Sequence, residues 1–236
     1  MFCTRISGMN KTQHPKLSFF KTFVCASALT LGFAANLAHA QTAASFPNKA
    51  IKIVVPFGPG GIADITARTV GAKMAEILGQ AVVIENKPGA GGIAAGDLVA
   101  KSEPDGSTLL LMSNGTAVSA NLFKSLPFDT VKDFAPVSTL GFFDIALVTK
   151  ADSPFKTLAD LLSFAKANLG KLNVGTINIG STQHLAAELF KSTAGIDIQV
   201  VPFNGTPAVI TALRGGQIDA AVEFWDLLKL RLMPKH

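Results

Sequence analysis

Few side chains in this sequence combine type and spacing in a way that could make or break a bond. Cys3 and Cys25 are the two cysteines and both lie within the first 40 residues. Serine is then the common nucleophile left, and no Gly-x-Ser-x-Gly elbow presents one at a strand end. Ser181 and His184 stand three apart, which at a helix entrance makes Ser181 or Thr182 a cap and leaves His184 to pack or bond locally. His184 and His236 are the histidines after residue 40, far apart in the chain, so no zinc-like spacing occurs. Neither a metal nor another cofactor is expected. What the chain does offer is a set of glycine-rich and small-polar loops. They are Phe57-Gly58-Pro59-Gly60-Gly61-Ile62-Ala63-Asp64, Asn114-Gly115-Thr116, Gly180-Ser181-Thr182-Gln183-His184 and Phe203-Asn204-Gly205-Thr206. Backbone N–H groups at a helix start lack intrahelical partners and carry the positive end of the helix dipole, so such loops can hold a carboxylate or phosphate without a charged side chain.

The elements around these loops read as repeated strand-loop-helix units. Ile51 to Val55 is a short β-branched run. Ile62, Ile65, Thr69, Val70, Met74, Ile77 and Leu78 then recur at three- and four-residue spacing up to Gly79, and Val82 to Glu85 follow as a second strand. This is a βαβ unit with parallel strands. A second Gly-rich turn at Asn86 to Gly92 leads to a short helix from Ile93 to Lys101, and Thr108 to Met112 make a third strand. The pattern recurs later. Thr157 caps a helix through Asn168, Leu172 to Gly175 form a strand, Leu185 to Thr193 a helix, Ile198 to Pro202 a strand, Ala208 to Leu213 a helix and Ile218 to Val222 a strand. In open α/β sheets ligands bind at the carboxyl ends of strands, which is where all four loops fall. Two such units with one direct crossing imply a hinged pair of lobes, 41–148 and 149–225, closing over a small ligand.

Residues 1–40 read as an export signal. Arg5, Lys11, Lys16 and Lys21 precede an apolar run from Phe23 to Ala35, and Ala38-His39-Ala40 has the small-x-small form of a cleavage site. The expected location is the periplasm, with cleavage after Ala40. The apolar run is well short of the ~20 residues that span a bilayer. Four of the 21 basic residues and none of the 16 acidic ones lie in this leader. The remainder therefore carries a net charge near +1, and neither nucleic acid nor a membrane surface is an expected partner. The arginines beyond the leader are Arg68, Arg214 and Arg231, none in a strand-end loop. A bound carboxylate would rest on helix N-termini, Ser, Thr and Asn side chains and water. Asp64 either caps its helix or pairs with Arg68, or it touches the ligand, and the sequence leaves both open.

A nucleotide-binding α/β enzyme is the competing reading. Gly58-x-Gly60-x-x-Ala63 follows a strand and opens a helix, and Glu85 ends the next strand near the place of a ribose-binding acid. Against it, Pro59 removes an amide from the turn, and Gly89-x-Gly91-x-x-Ala94 fits the same loose pattern.

Several long motifs in one order are more specific. They are Phe46-Pro47-Asn48-Lys49-Ala50-Ile51 running on through Gly61, Glu85-Asn86-Lys87-Pro88-Gly89-Ala90-Gly91-Gly92, Pro104-Asp105-Gly106, Lys132-Asp133-Phe134-Ala135-Pro136, His184-Leu185-Ala186-x-Glu188-Leu189-Phe190 and Gly215-Gly216-Gln217-Ile218-Asp219. From about Phe46 to Trp225 the chain resembles the periplasmic substrate-binding receptors of tripartite tricarboxylate transporters, the Bug receptors. The resemblance implies a two-lobed, Venus-flytrap α/β protein of the type II-like periplasmic-binding-protein architecture. Such a protein binds a small carboxylate or related solute, largely through main-chain groups and bridging waters, and delivers it to a membrane permease as a monomer without catalysis. By position the first-lobe contacts would be Phe57, Gly58, Gly60, Gly61, Ala63, Asp64, Asn114, Gly115 and Thr116. Those of the second lobe would be Gly180, Ser181, Thr182, His184, Phe203, Asn204, Gly205 and Thr206, with Glu223 as a pocket-facing polar residue. Phe203 stands where the family more usually has tyrosine. Family members continue for roughly a hundred residues more, the size of an ordinary domain. Residues 226–236 read as a non-matching tail, so the second lobe is expected to be incomplete, through a frameshift or premature stop, and the chain to fold poorly or bind weakly.

Overall fold

A computed structural model describes residues 2–4 and 46–232. Nine strands form two sheets among these residues. Strands of the first are β1 (Phe2–Thr4), β2 (Ile51–Val55), β3 (Val82–Asn86), β4 (Thr108–Leu111) and β5 (Ala135–Ser138), in the order β3-β2-β4-β1-β5. The second contains β6 (Ile145–Thr149), β7 (Asn173–Ile177), β8 (Gln199–Phe203) and β9 (Ala220–Phe224), in the order β6-β9-β7-β8. Strand β2 pairs in parallel with β3 and β4, and β7 in parallel with β8 and β9. The expected βαβ units are therefore present in both halves. Their helices are α1 (Ile62–Leu78), α2 (Ile93–Ala100), α3 (Asn114–Leu122), α4 (Leu158–Ala167), α5 (Thr182–Ala194), α6 (Thr206–Arg214) and α7 (Trp225–Leu232).

Three differences from the sequence reading have physical causes. First, the crossing between lobes falls at residues 139–144 and not at 148. Strand β6 pairs antiparallel with β9, Ile145 opposite Phe224 and Thr149 opposite Ala220, and so belongs to the second sheet. An antiparallel edge strand on an otherwise parallel sheet carries no helix signal to mark the change of lobe. Second, Asn114 to Thr116 are the first turn of α3 and not a loop. Ser113 is its N-cap, accepting from the Thr116 amide, while glycine, serine and alanine inside the helix leave no apolar stripe to read. Third, with the expected leader still attached, Phe2–Thr4 stand in the sheet, antiparallel to both β4 and β5. The reason for that placement is local: β4 and β5 each have a hydrogen-bonding edge that β1 satisfies. The rest of the expected leader, and the end of the tail from 233 on, lie outside the described residues. Within that tail, residues up to Leu232 are helical as α7.

Helix ends follow the sequence closely. Thr157 and Asp160 form a capping box at α4, and Gly79 and Gly195 close α1 and α5 in left-handed conformation. Three apolar clusters hold the sheets and helices. Val54, Leu110, Ala95, Val99, Phe128 and Phe134 lie on the α2 side of the first sheet. Leu161, Ala165, Leu172, Val174, Ala187 and Ile198 lie under α4 and α5 on the second. The third cluster is shared: Ile51, Ile53, Val55 and Ala67 of the first lobe join Ile177, Val209, Ala212 and Leu213 of the second. Helices α1 and α6 thus both contribute to one continuous apolar seam. Ile198 is fully buried in the α4/α5 cluster. Ile198→Ala is expected to lower unfolding free energy by about 2–5 kcal/mol in a urea titration, the usual cost of such a cavity.

Candidate functional site

The four expected loops meet in two pairs, the Gly58 loop with the Asn204 loop and the Gly115 turn with the Gly180 loop. A Cβ built on Gly58 would stand 2.7 Å from the carbonyl oxygen of Asn204. One on Gly61 would stand 3.5 Å from Thr206 Oγ1. At the other end of the seam a Cβ on Gly115 would collide with the Gly180 carbonyl, and the Gly91 amide donates to the Ile179 carbonyl at 2.9 Å. Gly91 and Gly180 both adopt positive φ, 58° and 79°, which L side chains rarely reach. Glycine at these points is a requirement of two backbones in contact.

The helix starts in this cluster are of two kinds. Ser113 and Ser181 cap α3 and α5 with their own hydroxyls, Ser181 accepting from the His184 amide at 3.1 Å. Gly61 and Gly205, at the starts of α1 and α6, supply no side-chain cap. Those two helices open beside each other, Gly61 against Thr206 and Gly58 against Asn204. The positive ends of two dipoles therefore sit side by side with amides that no side chain of their N-caps engages.

Asp64 is engaged within its own lobe. It is buried, and its carboxylate accepts from the Gly60 amide at 2.9 Å, from Arg68 Nε at 3.0 Å and from Asn86 Nδ2 at 2.9 Å. Asn86 also donates to the Phe57 carbonyl at 3.0 Å and accepts from Arg68 Nη2 at 2.9 Å. Burial alone would raise the pKa of Asp64. The bond from Arg68, then those from Gly60 and Asn86, outweigh burial and hold it below its ordinary 3.8. Sequence reasoning found the Asp64/Arg68 pair from its four-residue spacing. It passed over Asn86, a turn residue whose side chain reaches 29 positions back to Phe57.

Other expected contacts are distributed unevenly. Phe57 is buried and Phe203 and Ala63 pack against the shared apolar seam, so their side chains serve the core. Asn114 and Asn204 are exposed, Thr116 is buried and bonded to Ser113, and Thr182 is half-buried at the first turn of α5. Glu223 is fully buried and accepts from Gln183 Nε2 at 3.2 Å. His184 is half-buried, and burial lowers its pKa below the ordinary 6.5 against an opposing pull from Glu188. Its Nδ1, with Thr176 Oγ1 and Asn178 Oδ1, is buried without a hydrogen-bond partner. Two recesses lined by Phe46 to Lys49 with Asp105 and Ser107, and by residues of the 120–131 stretch, lie away from these loops.

Two outcomes test this geometry. Alanine is the better helix former than glycine by about 1 kcal/mol, yet Gly115→Ala is expected to lower the urea midpoint, because its methyl meets the Gly180 carbonyl. A raised midpoint would show that the jaws do not touch there. Asp64 has its pKa lowered on folding, so its contribution to stability is present above the unfolded value and is lost as pH falls through the folded one. Asp64→Asn is expected to flatten the acid limb of the stability profile measured by urea titration from pH 3 to 6.

The description "Tripartite tricarboxylate transporter family receptor" belongs to the family whose profile matches residues 66–230, past Trp225 and into the stretch read as a non-matching tail. A UPF0065 protein of Bordetella pertussis is 43% identical over 198 residues, covering 83% of this chain and 59% of the relative. MatC from Rhodopseudomonas palustris, solved with bound malate, is 35% identical with a TM-score of 0.74, over 79% of this chain and 64% of that one. Rpa4515 of the same organism, solved with adipate, is 32% identical with a TM-score of 0.74, over 79% of this chain and 63% of that one. The chain thus spans about three fifths of the length of the relatives it matches. With the fold, the motif order and the matched span in agreement, the chain belongs to the receptors of the tripartite tricarboxylate transporter family.

Proposed function

We propose that this protein is an extracytoplasmic receptor that captures a small carboxylate for a tripartite tricarboxylate-type transporter, binding it without turnover. The observation that carries the reading is the pair of glycine-capped helix starts, α1 and α6, that open side by side between the lobes. Two partial positive charges at main-chain N–H groups suit a carboxylate and require no arginine at the site. The unpartnered Thr176, Asn178 and His184 atoms give the second jaw acceptors that a bridging water or a ligand hydroxyl can satisfy. The malate and adipate held by the two related structures are dicarboxylates of this size class, and a four- to six-carbon diacid is the proposed ligand. The basic and apolar leader with Ala38-His39-Ala40 supports export to the periplasm and cleavage after Ala40, with a monomer delivering ligand to the membrane permease. Calorimetric titration with malate, adipate and citrate tests the reading, with NAD as the control for a nucleotide enzyme. One diacid is expected to bind at one site per chain, with weak dependence on salt because main-chain dipoles and not lysines supply the attraction. Heat from NAD alone would overturn it.

A further inference from the structure

Three residues that the loop itself does not contain decide its shape. Phe57 to Gly61 holds three glycines, and a chain so permissive is costly to order on binding unless it is fastened beforehand. Asp64, Arg68 and Asn86 fasten it at both ends. Asn86 Nδ2 grips the Phe57 carbonyl at the loop's start and Asp64 Oδ2 grips the Gly60 amide near its finish. The same two side chains bond each other at 2.9 Å, and Arg68 bonds both. The loop therefore closes into a ring through side chains on α1 and β3. A second effect follows from charge. A carboxylate buried beside an anion-holding loop would repel a carboxylate ligand, and Arg68, at 2.9 Å from Asp64 Oδ1, cancels it.

Resting on the receptor reading above, we propose that Asn86 and Arg68 are positioning residues of the binding site. Through Asp64 they pre-form the Gly58–Gly61 loop and neutralise the charge behind it, so that the loop presents its amides to a carboxylate already ordered. They act on affinity without touching the ligand.

The direct readout is the Gly60 amide, whose bond to Asp64 makes it a reporter of the ring. In Asn86→Leu, of similar volume, hydrogen exchange at Gly60 measured by NMR should quicken at least about tenfold. Amides of β7 in the other lobe should keep the parent rate. The malate Kd from calorimetry should rise at least about tenfold. Arg68→Met, which keeps the aliphatic stem and removes the guanidinium that bonds both Asp64 and Asn86, is the second variant and should give the same two changes if Asn86→Leu does not fold. Unchanged exchange at Gly60 in a folded variant overturns the proposal whatever malate does. Faster exchange with an unchanged malate Kd overturns it as well. If the parent chain binds neither malate nor adipate, the receptor reading fails by itself, and the exchange rate at Gly60 still decides whether Asn86 and Arg68 shape the loop.

Discussion

Backbone against backbone is the constraint on which the remainder of this structure depends. The two lobes touch where Gly58 meets Asn204, where Gly115 meets Gly180 and where Gly91 donates to Ile179, and no side chain separates them at those points. Such an approach is possible only where Cβ is absent. The groups that line such a contact are amides and carbonyls. The starts of α1 and α6 lie beside each other there, Gly61 against Thr206.

The approach is held from behind by apolar packing. Ile53, Val55 and Ala67 of one lobe and Val209, Ala212 and Leu213 of the other belong to one cluster. A hydrophobic contact is non-directional and would not by itself fix an angle between lobes. The backbone contacts at Gly58, Gly115 and Gly91 are directional and supply what the seam does not.

The sequence carried most of the fold because its signals were local. Three- and four-residue spacing marked α1, the Thr157 cap marked α4, and small-polar stretches after β-branched runs marked the strand ends. What it did not carry was set by distant partners. Strand β6 looks like any extended run, and only its pairing with β9 assigns it to the second lobe. Helix α3 lacks an apolar stripe, so Ser113 was its one legible sign. At the site, the loops were readable from glycine and turn chemistry. The role of Asn86 was not, because its partners Phe57 and Asp64 come from another element, and nothing in a turn residue's type distinguishes one that bonds across a sheet from one that faces water.

A contact made of main-chain atoms has a peculiar relation to mutation. Most single substitutions in its loops leave amides and carbonyls in place, so Asn114, Pro59 or Asn204, all exposed, can change identity with little effect on the contact itself. The glycines cannot, since any replacement at Gly115 or Gly180 inserts an atom between the jaws. Tolerance and intolerance are therefore segregated by position. Exposed side chains around the contact can vary while the glycine frame between them stays fixed.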